Sequence, residues 1–141
     1  MIGIAIDSAV HRMDDAVTIA QLADAHEVDF VTVPDHPYVP KELEAWTLLT
    51  MLAARTQHVA VGTNVASLAL RPPAMLIKAA STLSLLTGGR VVLGVGAGGP
   101  LEPIAGFGGA VRSVGESVAA LDDALQMIKG FWSGSSRHDG P

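Results

Sequence analysis

The chain has 141 residues, 49% of them apolar and 16% charged, with a net charge of −5 and no cysteine. That is enough chain for one domain with a real core, it excludes disorder, and its acidic balance without a basic patch argues against nucleic acid or an anionic membrane surface as partner. The lack of cysteine removes disulfides, thiolate nucleophiles and zinc–thiolate sites.

The first predicted strand is residues 2–6, where the chain starts without the basic and long apolar regions of a secretory leader. A run of about 18 uninterrupted apolar residues, the mark of a membrane span, is also missing, so a cytoplasmic protein is the default expectation. A helix is predicted over residues 14–27, with Asp14 as N-cap and Ala16, Ile19, Ala20 and Ala23 at helical spacing. A second strand covers 29–33, and a second helix covers 41–55 with Leu43, Trp46, Leu49 and Ala53 on one side. The third strand is 59–65. Pro72-Pro73 opens the third helix, where a missing N–H costs nothing, and Gly88-Gly89 stops it. The fourth strand spans 90–94, and a last helix runs from 114 to 129, with Ser113 and Glu116 forming a capping-box pattern. Trp46, Met51 and Met75 fall on helix-period faces and read as core. The tail from Ser133 to Pro141 is polar and reads as flexible.

Four β-then-α units in one domain imply an α/β fold of parallel strands covered by helices. The strands lack polar alternation, as strands buried on both faces do. Either an open doubly wound sheet or half of a (β/α)₈ TIM barrel accepts this pattern. In both, the loops after the strands' C-terminal ends form the binding face.

Two such loops carry chemistry. In "VTVPDHPYVP", residues 31–40, an apolar strand stops at Pro34 and delivers Asp35 and His36 side by side. A lone Asp–His pair more often caps a loop, but a position just past a buried strand favours a catalytic role. After strand four comes "GVGAGG", Gly94 to Gly99, whose letters fit G-x-G-x-x-G. A dinucleotide site would open a helix directly from the first βαβ unit, and "PLEPIAGFGG" follows instead. Its glycines still let backbone approach a flat ligand or a phosphate closely. Arg71 suits phosphate at a helix N-terminus or a place on the surface. His11, His26, His58 and His138 stand in bland contexts, and no metal-ligand spacing is present, so no metal site is expected.

In order along nearly the whole chain, "FVTVPDH", "LAARTQHVAVGTNV", "RPPAMLIKAASTLSLLTGGRVVLGVGAGG", "FG" at 107–108 and "MIKGFWSG" at 127–134 resemble the bacterial-luciferase-like flavin and deazaflavin oxidoreductases. The resemblance implies half of a (β/α)₈ barrel and hydride transfer, with or without oxygen, to or from a small organic substrate. The cofactor would be FMN or the 8-hydroxy-5-deazaflavin coenzyme F420, the Asp–His pair favouring the deazaflavin. Asp35 would contact the ring or substrate, and His36 would position substrate or move a proton. Asn64-Val65 would form a bulge behind the ring, joined by a cis peptide, and Gly96, Ala97 and Gly98 would line the pocket. Where the sugar-phosphate dehydrogenase branch carries a glutamate proton donor after the glycine run, Gly99 stands here. The family's barrel needs eight units and its second half holds most of the cofactor phosphate, so a fragment or truncated product is expected. Four units leave two sheet edges unpaired, and self-association, as a homo-oligomer or less regularly, is expected. A non-catalytic flavin-binding or interaction module built from the same half barrel is the other reading.

Overall fold

A computed structural model describes residues 1–99 and 101–133. The tail expected to be flexible lies outside the described residues, except for Ser133. The elements are β1 (Gly3–Ala5), α1 (Met13–Ala25), β2 (Phe30–Val33), α2 (Ala45–Ala54), β3 (Ala60–Ser67), α3 (Pro73–Thr87), β4 (Val91–Gly96), α4 (Leu101–Gly106) and α5 (Val114–Trp132). All strand pairs are parallel, and the spatial order is β1-β2-β3-β4. A doubly wound sheet reverses direction at a switch point, whereas a barrel adds each strand beside the last. The sequential order selects the barrel topology.

Register explains the two faces of the sheet. Ile4, Val31, Val61 and Val91 stand in one row across the strands and pack with the helices. Their partners in that core include Ala16, Ala20 and Ala23 of α1 and Leu48, Leu49 and Leu52 of α2. The next row, Ala5, Thr32, Gly62 and Val92, lies on the opposite face, where Val92 is 39% exposed. Gly62 is required by the closeness of β4: a Cβ there would stand 2.2 Å from the Val92 carbonyl oxygen.

Several element ends differ from expectation. Asp14 does not cap α1; a 3₁₀ turn at Val10–Arg12 leads into the helix, and Asp14 joins Asp15 in its first turn, where carboxylates favour the helix dipole. Helix α2 begins four residues late, because the Glu44 carboxylate accepts the Trp46 and Thr47 amides and acts as the cap. A short helix, α4, occupies part of the stretch expected to be loop after the glycines. Met75, expected in the core, is 64% exposed. The Ser113–Glu116 capping box and the Gly88 stop, at φ 67°, form as expected.

Long-range polar ties hold the layers in place. The Arg90 guanidinium donates to the carbonyls of Ala53, Thr56, Val59 and Thr87, joining the end of α2 to the starts of β3 and β4. On α1 the Asp24 carboxylate accepts the amides of Gln57, His58 and Val59 at 2.6–2.9 Å. Burial raises the Asp24 pKa, but hydrogen bonds from Val59, Gln57 and His58 outweigh it and leave the carboxyl below its ordinary value of 3.8. A carboxyl depressed by folding stabilises the fold fully above its unfolded value and loses that contribution as pH falls through the folded one. The stability gap between wild type and Asp24→Asn in urea denaturation should therefore be full at pH 7 and shrink from about pH 4 downward. A gap independent of pH would remove the charge from this account.

Among the described residues, β1 pairs only with β2 and β4 only with β3, so both outer strands present unpaired edges. Ile2 and Val92 are exposed beside those edges. Open edges and apolar surface together favour association. The chain on its own is expected to self-associate in light scattering; a monomer stable to both dilution and concentration would contradict this.

Candidate active site

The strand ends converge on one cleft of about 160 Å³ lined by Asp35, His36, Tyr38, Asn64, Val65, Ser67, Gly96, Gly98 and Gly99. Ala97 faces away, into a neighbouring cavity of about 430 Å³ between the glycine loop and the start of α5. Of the residues that the family resemblance places at the site, Asp35, His36, Asn64, Val65, Gly96 and Gly98 line the cleft and Ala97 does not. Its walls come from the ends of β2, β3 and β4, the binding face expected of this topology.

One wall is a ridge on β3. The register steps by three residues on β3, Thr63 to Ala66, against two on β4, Leu93 to Val95, which is a bulge at Asn64-Val65. The peptide between Asn64 and Val65 is cis. Both residues are exposed, and Val65, at 44%, presents an apolar surface to the cleft. Beside it Gly96 forms a floor: a Cβ there would come within 2.5 Å of the Val65 side chain. A side chain at residue 96 would have to push the Val65 side chain aside.

Asp35 and His36 adjoin in sequence but go to different partners. The Asp35 side chain is 1% exposed, and both its oxygens are engaged. Arg71 Nε and Nη2 donate to them as a fork at 2.6 Å, and the Ser67 amide donates at 3.1 Å. Arg71 also donates to Glu44, so the residue read from sequence as a phosphate or surface arginine is instead held between two carboxylates. This knot fixes the end of β3 and the start of α3 against the strand-two loop.

His36 is exposed at the cleft. Its Nδ1 lies 3.2 Å from Glu42 Oε2, and its ring is 5.8 Å from that of Tyr38 at a tilt of 37°. Tyr38 was not singled out by the sequence, although it stands two residues beyond His36. Burial first, then the charges of Glu42 and Asp35, push its phenol up, so it stays protonated near neutrality and can donate a hydrogen bond. The phenol oxygen lies 3.4 Å from where a Cβ on Gly99 would stand. Imidazole, phenol, glycine floor and valine ridge together suit a flat, partly apolar ligand with a group that gains or loses a proton at its edge. Among the described residues no cluster of three or more His, Asp or Glu is arranged for a metal ion, and no helix is long and apolar enough to cross a membrane.

These features define the N-terminal part of a barrel with a ligand face at its strand ends. The chain belongs to the luciferase-like monooxygenase family, whose model matches residues 2–141. It is 37% identical over 127 residues to an F420-dependent glucose-6-phosphate dehydrogenase from Nocardia farcinica, a match that covers 85% of this chain and 38% of that protein. Among solved structures it resembles an F420-dependent secondary alcohol dehydrogenase in complex with an F420–acetone adduct, at 25% identity and a TM-score of 0.80, over 100% of this chain and 43% of that one. It also shares the fold of the FMN-bound oxygenating constituent of 3,6-diketocamphane monooxygenase from Pseudomonas putida, at 21% identity and a TM-score of 0.75, over 93% of this chain and 38% of that one. The chain spans about two fifths of the length of each of these proteins.

Proposed function

We propose that this chain forms the substrate- and ring-binding portion of an oxidoreductase that uses F420 or FMN to move a hydride to or from a small organic substrate. The observation that carries the reading is the cleft: Val65 and Gly96 offer a flat apolar face, and His36 and Tyr38 stand at its rim. The cleft's 160 Å³ is below the roughly 300–1,000 Å³ of a pocket that encloses a ligand. It suits gripping one face of a flat ring. A ring cofactor would supply the redox step itself, and the protein supplies binding, orientation and electrostatics.

Within that division of work, Asn64, Val65, Gly96 and Gly98 hold the ring face, with Ala97 behind the glycine loop. His36 accepts or returns the substrate proton, and Tyr38 donates a hydrogen bond to the oxygen that changes charge. Asp35 supports the site as the buried anion that fixes Arg71 and the β3 end, at the cleft wall. Relatives named for F420 include the 37% identical one, which inclines the choice toward the deazaflavin. Gly99 offers no carboxylate, so a sugar phosphate is not assigned as substrate.

Titrating the chain separately with F420 and FMN, and following visible absorbance, tests this reading. One of the two spectra should shift and saturate with wild type, and the shift should vanish in Gly96→Ala, whose new Cβ displaces Val65. Neither spectrum changing, or an unchanged response in Gly96→Ala, would contradict it.

A further inference from the structure

Glu42 lies outside every motif the sequence offers, yet it is the carboxylate nearest the exposed imidazole. Its Oε2 accepts from Ser8 Oγ at 2.9 Å and meets His36 Nδ1 at 3.2 Å. Ser8 is 1% exposed and the Glu42 side chain 23%, so the carboxylate end of the contact is shielded, while the His36 side chain is 46% exposed. The three residues come from two loops, one after β1 and one after β2, and backbone bonds fix those loops together. The Leu43 amide donates to the Ser8 carbonyl and the Val10 amide to the Lys41 carbonyl, both at 2.8 Å, while Ala9 and Glu42 form an antiparallel bridge. The seam sets Glu42 and Ser8 in register.

From this geometry we infer that Glu42 is a positioning residue for His36, holding the neutral imidazole as its Nδ1–H form and leaving the lone pair on Nε2. This deepens the reading of His36 proposed above and rests on it for its role in catalysis. An ionised carboxylate can only accept, so the nitrogen facing it must carry the proton, and a neutral imidazole then has its acceptor on the other nitrogen. Ser8 donates to the same oxygen, which helps hold that oxygen beside the ring. An imidazole free in water favours the opposite form, with the proton on Nε2, which would turn a donor toward substrate instead of a base. Glu42 thus decides which half of a proton transfer His36 is ready to perform. Orientation of a histidine by a carboxylate is a general device for selecting its tautomer.

The test reads the two ring nitrogens directly. The full chain labelled with ¹⁵N-histidine, in alkaline buffer so that the imidazole is neutral, is studied by NMR, with His36 assigned through the His36→Gln variant. Nδ1 of wild-type His36 should resonate as a protonated nitrogen and Nε2 as an unprotonated one. In Glu42→Leu, which keeps the backbone seam but cannot accept a hydrogen bond, the population should shift to the Nε2–H form. A wild-type His36 protonated at Nε2 overturns the inference whatever the variant does, and so does an unchanged tautomer in a folded Glu42→Leu. The measurement needs neither coenzyme nor turnover, so it succeeds or fails separately from the F420 and FMN titrations.

Discussion

Replacing Arg71 with methionine should lower stability by about 3–5 kcal/mol, the cost of removing one partner from a buried ion pair. The reason lies in what remains. Asp35 is 1% exposed and would keep a single donor, the Ser67 amide, in place of three. Glu44, which caps α2, would lose its cation as well. Burial raises the Glu44 pKa, but its hydrogen bonds from Thr47, Arg71 and Trp46 outweigh it and hold the carboxyl below the usual value. Loss of Arg71 removes one of those donors. The variant would also release the β3 end beside the Val65 ridge, so ring binding should weaken along with the fold. The double variant Asp35→Leu/Arg71→Met should recover much of the lost stability, since it leaves no buried charge behind. Urea midpoints for wild type and the two variants decide it: a loss below about 1 kcal/mol for Arg71→Met would place the pair among surface ion pairs.

The second large effect concerns His36. In a completed barrel that turns over a substrate, His36→Asn should lower kcat by a factor on the order of 100 and leave cofactor affinity nearly intact. Asparagine keeps a short polar side chain at the cleft but cannot take up a proton. The flat face formed by Val65 and Gly96 is untouched, which is why binding should survive. Equal turnover would reduce His36 to a loop-capping residue. A parallel loss of cofactor affinity would make it a binding residue instead.

Much of this architecture is legible in the sequence because it is written in local rules. Apolar strands ending at proline or glycine, Pro72-Pro73 at a helix start and the Ser113–Glu116 box each act within a few residues. What stays hidden is set by distant partners. Arg71 reads as a phosphate or surface arginine because Asp35, its partner, is 36 residues away. The late start of α2 has the same origin: residues 41–43 pair with the loop after β1, a contact no helical periodicity records. Tyr38 sits within the most conspicuous stretch of the sequence, yet its place depends on the glycine loop after β4 packing against it. The adjacency of Asp35 and His36 suggested a working pair, whereas backbone direction at the strand end sends one inward to Arg71 and the other outward to the cleft.

The proposed function puts a flat redox ring against the β3 ridge and the β4 glycines. Amide chemical shifts of the ¹⁵N-labelled chain, followed during titration with F420 and then FMN, test it most directly. The largest shifts should fall on Val65, Gly96, Gly98 and His36 and saturate together. Shifts centred instead on the Ala97–Val118 cavity, or spread without saturation over the whole sheet, would contradict it.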